Sequence, residues 1–333
     1  MRLNYKQWIQ VVLSLGVAIW IFWFLYKDIS FESLKQSLKQ TEFIWIGLSV
    51  AVSLFGYWIR AWRWKLLIEA GERIQVSTGR TLVALMIGYL ANLLVPRAGE
   101  VARCGVLAKS QGEPMGKLLG TVILERSIDL LLMVFTIALA FLLESTLFVK
   151  LLSDLVSLDS LAVRISNSLP LVLGGIIITA MFFYFVAHKY RESSFLKKVR
   201  HFFRDMIKGF ISIQKLNNPW GFWVSSVLIW VVYYLMMLFV AFAIPSTASL
   251  SLSAVLLVMV MGSIGMVAPV QGGIGTFHAL VAFILMAFGL SEEEGKIFAV
   301  IIHSSQVLTI MVVGLIALAF FFKINAQKAS KSY

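Results

Sequence analysis

The sequence predicts an all-α polytopic membrane protein, with about six full transmembrane helices and two re-entrant broken hairpins arranged in two inverted repeats. Three observations carry this. Hydrophobic residues make up 59% of the chain, charged residues only 14%, and the mean hydropathy is +0.87, far from a globular composition. Mostly apolar stretches, each able to cross about 30 Å of hydrocarbon as a helix, recur at 8–26, 43–59, 118–143, 169–187, 220–243 and 297–322. Two further apolar runs carry the same Pro-x-x-Gly break, Pro96-Arg97-Ala98-Gly99-Glu100 and Pro269-Val270-Gln271-Gly272-Gly273, 173 residues apart.

Stretch 8–26 is expected to stay as a membrane span, because its apolar core is long and Tyr26-Lys27-Asp28 stands where a signal would need small residues. Phe31, Leu34 and Leu38 then give a short amphipathic segment. Span 43–59 ends in Trp58, Arg60, Trp62, Arg63 and Trp64, a mixture typical of a membrane interface. The broken segment 81–108 follows. A full crossing by 97–108 would drag Arg97, Glu100 and Arg103 through lipid, so a hairpin that enters and leaves on one side is expected. Span 118–143 closes the first repeat, assigned to 1–143, and 144–168 is an external loop. The second repeat, 169–322, repeats the order with the broken segment 252–289. Between its first two spans, 195–213 places apolar residues at helical spacing among Lys197, Lys198, Arg200, Arg204 and Lys208. That pattern suits a basic amphipathic helix on an anionic leaflet, with a solvated linker as the alternative. The whole of 1–333 reads as one membrane domain; eight full spans without symmetry is the competing arrangement.

The loops sort by charge. Residues 60–80, 97–117 and 188–219 are basic, the last with eight basic residues against two acidic, whereas 290–296 carries Glu292, Glu293 and Glu294. Basic loops face the cytoplasm, which places both termini inside and makes this a multi-pass protein of the cell (inner) membrane. The net charge of +12 is therefore read as orientation toward an anionic leaflet, and nucleic acid is not an expected partner. Cys104 is the single cysteine, so no intrachain disulfide and no thiolate cluster can form. No metal and no cofactor are expected.

Charges inside apolar helices are the sharpest local signal. Glu125, Arg126 and Asp129 lie within 117–143, where each costs roughly 2.5–3.5 kcal/mol at a helix centre. Their spacing lets them share one side of a helix and pair with one another or with Arg97, Glu100 and Arg103. They either brace the hairpin or line a cavity beside it. Gly99, Gly272, Gly273 and Gly275 allow sharp turns after Pro96 and Pro269, and helices starting there aim free N–H groups at the turn. Asn92 lies one turn before Pro96, with Gln271 and His278 as polar counterparts in the second segment. For His278, a satisfied ring in helix packing is the competing role. Arg60 or Arg63 is suited to a lipid phosphate. The candidate substrate-binding set is thus Arg60, Arg63, Asn92, Arg97, Glu100, Arg103, Glu125, Arg126, Asp129, Gln271 and His278.

These motifs, Arg60-x-x-Arg63-Trp64, Asn92-x-x-x-Pro96-Arg97-x-Gly99-Glu100-x-x-Arg103, Glu125-Arg126-x-x-Asp129 and Pro269-x-x-Gly272-Gly273-x-Gly275, together resemble the flippase-like membrane domain of lysylphosphatidylglycerol synthases, which also occurs as a stand-alone protein. The resemblance implies re-entrant helices and lipid translocation. The family usually has proline before the Gly-Gly pair and glutamate three residues after the last glycine, where this chain has Gln271 and His278, which points to a different head group. With the chain ending at Tyr333, no aminoacyl-transferase domain and no lysyl transfer are expected.

Three functions compete on sequence alone. The first is a translocase for an anionic or glycan-linked lipid, with membrane lipids as partners and a homo-oligomer compatible with the sequence. The second is an ion-coupled carrier of a small solute, in which the same charges relay ions. An intramembrane lipid-modifying enzyme is the third; no His-Glu-x-x-His site and no nucleophile beside a base supports it, so no catalytic residue is assigned.

Overall fold

The computed structural model describes residues 31–70, 75–95, 97–147, 216–268 and 270–330, with Trp23 and Ile213. Apart from those two residues, the expected spans 8–26 and 169–187 and the amphipathic segment 195–213 lie outside the described residues, as do Pro96 and Pro269. The described residues form nine α-helices and one 3-10 turn, without a strand: α1 Phe31–Gln40, α2 Phe43–Ile68, α3 Thr78–Leu94, α4 Ala98–Gln111, α5 Met115–Leu143, α6 Pro219–Ala243, α7 Leu252–Val267, the 3-10 turn Gln271–Gly273, α8 Thr276–Ala287 and α9 Glu292–Ser330. Four helices, α2, α5, α6 and α9, are long and apolar enough to cross a membrane, and α3, α7 and α8 are shorter apolar helices. The chain is a polytopic helical membrane protein.

Local chemistry sets the helix starts. Ser77 caps α3 by accepting from the Arg80 N–H, and Ser251 caps α7 by accepting from the Ala254 N–H at 3.1 Å. Asn218 accepts from the Gly221 N–H at 2.8 Å, with Pro219 at the first helical position of α6. Each half runs in the same described order: long helix, broken pair, long helix. That is α2, α3–α4 and α5 in the first half, then α6, α7–α8 and α9 in the second.

The described residues of Met1–Ala140 and Lys215–Tyr333 form one compact unit, and those of Phe141–Gln214 belong to a second. The second contributes to the described residues only 141–147 and Ile213. Within the first unit, α2 lies along α6, where Ile59 packs with Ile229 and Val232, and the Ser49 hydroxyl donates to the Met236 carbonyl at 3.0 Å. Helix α3 packs on α2, α4 and α9, while α7 packs on α6 and α8. Within a membrane such packing rests on close fit and small residues rather than on apolar burial. Gly88 and Gly99 supply that fit between α3 and α4, since a Cβ on Gly88 would stand 2.7 Å from the Gly99 carbonyl oxygen.

Candidate functional site

The two breaks meet, and each caps the other. A helix ends with unpaired carbonyls, which at membrane depth need partners from protein. Gln271, in the 3-10 turn of the second break, donates from Nε2 to the Leu93 and Leu94 carbonyls at 2.6 and 3.0 Å, at the end of α3. Arg97, at the first break, donates from Nη2 to the Val267 carbonyl at 3.0 Å, at the end of α7. The cation thus sits at the negative end of the α7 dipole.

Inside the first break, the Gly99 N–H donates to Asn92 Oδ1 at 2.7 Å, tying the start of α4 to the last turns of α3. Thr276 does the corresponding work in the second, its hydroxyl donating to the Gly265 carbonyl at 2.7 Å. The turns demand unusual backbone. Gly272 has φ 59°, and Arg97 takes the same left-handed conformation at φ 60° without being glycine. Such a conformation in a residue with a Cβ persists only where the surroundings over-determine it.

A directional histidine chain braces the second break. The Gly275 N–H donates to His278 Nδ1 at 3.3 Å, so the proton of a neutral ring lies on Nε2. His278 Nε2 faces His303 Nδ1 at 3.3 Å, and His303 Nε2 faces the Gly272 carbonyl at 2.9 Å. A carbonyl only accepts, so His303 donates from Nε2 and accepts at Nδ1, and the chain closes with both rings neutral. Both histidines are buried.

The charged cluster joins four helices. Glu125 falls in the buried stripe of α5 with Leu118 and Val122, and Asp129 stands one turn on. Three guanidiniums converge on Glu125: Arg60 and Arg103 at 3.2 Å, and Arg63 at 3.3 Å. Asp129 takes Arg63 at 2.7 Å and Arg60 at 3.1 Å. Arg60 also donates to the Tyr233 hydroxyl and Arg63 to Ser226, both on α6. Arg103 lies over the Trp64 ring at 4.5 Å, and Trp64 donates to Thr121 at 2.9 Å. The Glu125 side chain is fully buried, and those of Arg60, Arg63 and Arg103 are at most 9% exposed.

The expected residues therefore fall into two groups. Asn92, Arg97, Gln271 and His278 build the breaks; Arg60, Arg63, Arg103, Glu125 and Asp129 build the cluster. Arg126 and Glu100 form its outer edge, paired at 2.9 Å with side chains 42% and 35% exposed. Arg126 reaches Asp129 only at 3.7 Å, so the carboxylates of α5 depend on α2 and α4 rather than on their neighbour. Arg60 and Arg63 are buried cluster members, not interface anchors. Sequence reasoning passed over Tyr233, Ser226 and His303. A histidine within an apolar span was the available signal for the last; a lone hydroxyl in an apolar helix gives none.

Long apolar helices, paired breaks and a buried charge cluster define a polytopic helical membrane protein organised around two interrupted helices. The profile of the family described as Lysylphosphatidylglycerol synthase TM region matches residues 11–314, and the chain belongs to that family. No curated protein and no solved structure gives a significant match.

Proposed function

We propose that this protein is an integral-membrane lipid translocase, flippase-like, for an anionic or glycan-linked lipid, and that it is not an enzyme. The observation that supports this best is the reciprocal capping of the two breaks by Gln271 and Arg97 beside a buried charge cluster. Interrupted helices in matching halves are how transporters build a site near mid-membrane, with repeats that rock against each other. In this reading the two broken pairs are re-entrant, the halves are inverted, the termini and the basic loops face the cytoplasm of the inner membrane, and 290–296 faces outward. Breaking the few hydrogen bonds between the breaks is what opens a path for a head group. Lipids, anionic ones first, are the partners.

The test is reconstitution into vesicles of phosphatidylethanolamine and phosphatidylglycerol, with head-group-labelled fluorescent lipids and a membrane-impermeant quencher. Protein-dependent loss of inner-leaflet protection, fastest for an anionic head group, is expected. No acceleration over protein-free vesicles for any labelled lipid would reject the lipid reading and favour the small-solute carrier.

A further inference from the structure

We propose that the buried arginine cluster of α2, α4 and α5 seats one monoanionic phosphodiester, the group that links a phospholipid to its head; assignment of that group to a lipid rests on the translocase reading above. The first ground is charge. The carboxylates paired with Arg60, Arg63 and Arg103 are Glu125 and Asp129, three positive groups against two negative. The outer pair, Glu100 and Arg126, cancels itself. Among the described residues no third carboxylate pairs with these guanidiniums. A buried cluster holding one excess charge is unfavourable until a counter-charge joins it. One excess positive charge calls for a monoanion; a phosphate monoester, near two negative charges, overshoots.

The second ground is geometry. Arg103 spends only Nη1 on Glu125, while its Nε and Nη2 are buried without a hydrogen-bond partner. Those two nitrogens form one edge of the guanidinium, whose parallel N–H groups match two oxygens of a phosphate. Arg60 Nε and Arg63 Nε are likewise buried and unpartnered, so further donors surround the same carboxylates. A single-atom anion such as chloride satisfies the charge but leaves the fork half used.

The third ground is access. Glu100 lies one turn from Arg103 on α4, and Arg126 is next to Glu125 on α5, and both are part-exposed. This outer pair is the way in: when it parts, Glu100 withdraws and Arg126 is free to follow the anion.

The test uses the purified full chain in an uncharged detergent, with tryptophan-fluorescence melting as readout. Three probes are titrated: dioctanoylphosphatidylglycerol, dioctanoylglycerol without the phosphate, and dimethyl phosphate without the lipid. Saturable stabilisation of the wild type by the phospholipid, and none by dioctanoylglycerol, is expected. Arg103→Gln should raise the half-saturating concentration about tenfold or more, the loss of a charge-assisted hydrogen-bonded pair. Lys109→Gln, which removes an exposed cation from the same helix, should not change it. Equal stabilisation by dioctanoylglycerol, or an unchanged titration in Arg103→Gln, overturns the proposal. Should Arg103→Gln fail to fold, Arg103→Lys decides, because it keeps the charge and loses the edge: unchanged half-saturation overturns, a several-fold rise supports. Stabilisation by dimethyl phosphate but not by the phospholipid keeps the anion site and rejects the lipid reading.

Discussion

Glu125 and Arg126 are neighbours in sequence with opposite burdens. Glu125 is fully enclosed and holds three guanidiniums, so Glu125→Gln leaves buried arginines short of a counter-charge. Removing one partner of a buried pair costs about 3–5 kcal/mol. Arg126 is part-exposed and bonds chiefly to Glu100, a pair in the range of about 0–1 kcal/mol. Thermal melting in detergent should therefore show a much larger loss for Glu125→Gln than for Arg126→Ala; equal losses would mean the cluster is not organised around Glu125. The spacing of Glu125, Arg126 and Asp129 was legible because charges at i, i+3 and i+4 share a helix face. Their actual partners were not. Arg60 comes from 65 residues earlier, and the pairing depends on how α2 lies against α5, which no local pattern encodes. The interface composition around Arg60 and Arg63 even pointed toward the lipid–water boundary.

At the scale of elements, the breaks were the most legible feature, since Pro-x-x-Gly inside an apolar run has few other readings. Their mutual contact was not legible: Gln271 and the Leu93 carbonyl are 178 residues apart. Gln271→Leu keeps the volume and removes the donor, leaving the Leu93 and Leu94 carbonyls without that partner at a cost of about 1–3 kcal/mol. Hydrogen exchange should speed up at the start of α4 as well as around the second break; an increase confined to 270–276 would show that the two breaks are not coupled. Arg97→Gly gives a complementary expectation. Glycine adopts φ 60° freely, so relief of backbone strain, on the order of 1 kcal/mol, offsets loss of the bond to Val267. Its melting temperature should stay near that of the wild type, while Arg97→Val, β-branched in a left-handed position, should fall well below it.

For the whole molecule, composition alone was enough to read a helical membrane protein, and four of the six expected spans appear as long apolar helices. The proposed orientation rests on loop charge, and Ser291 and Lys109, both exposed, suit its test in a Cys104→Ala background. A thiol at Ser291 should react with an impermeant reagent from outside intact cells, and one at Lys109 should not; the reverse pattern would invert the topology. The proposed translocase function requires that the contact between the breaks open. Leu94 and Val267 flank that contact and are 65% and 54% exposed, so thiols at both positions are open to a short cleavable bifunctional reagent. Lipid movement should be measured in reconstituted vesicles before cross-linking, after it, and after cleavage of the link. Loss of movement in proportion to the cross-linked fraction, restored on cleavage, is expected if lipid passes where the two breaks part. Undiminished movement at complete cross-linking would contradict it.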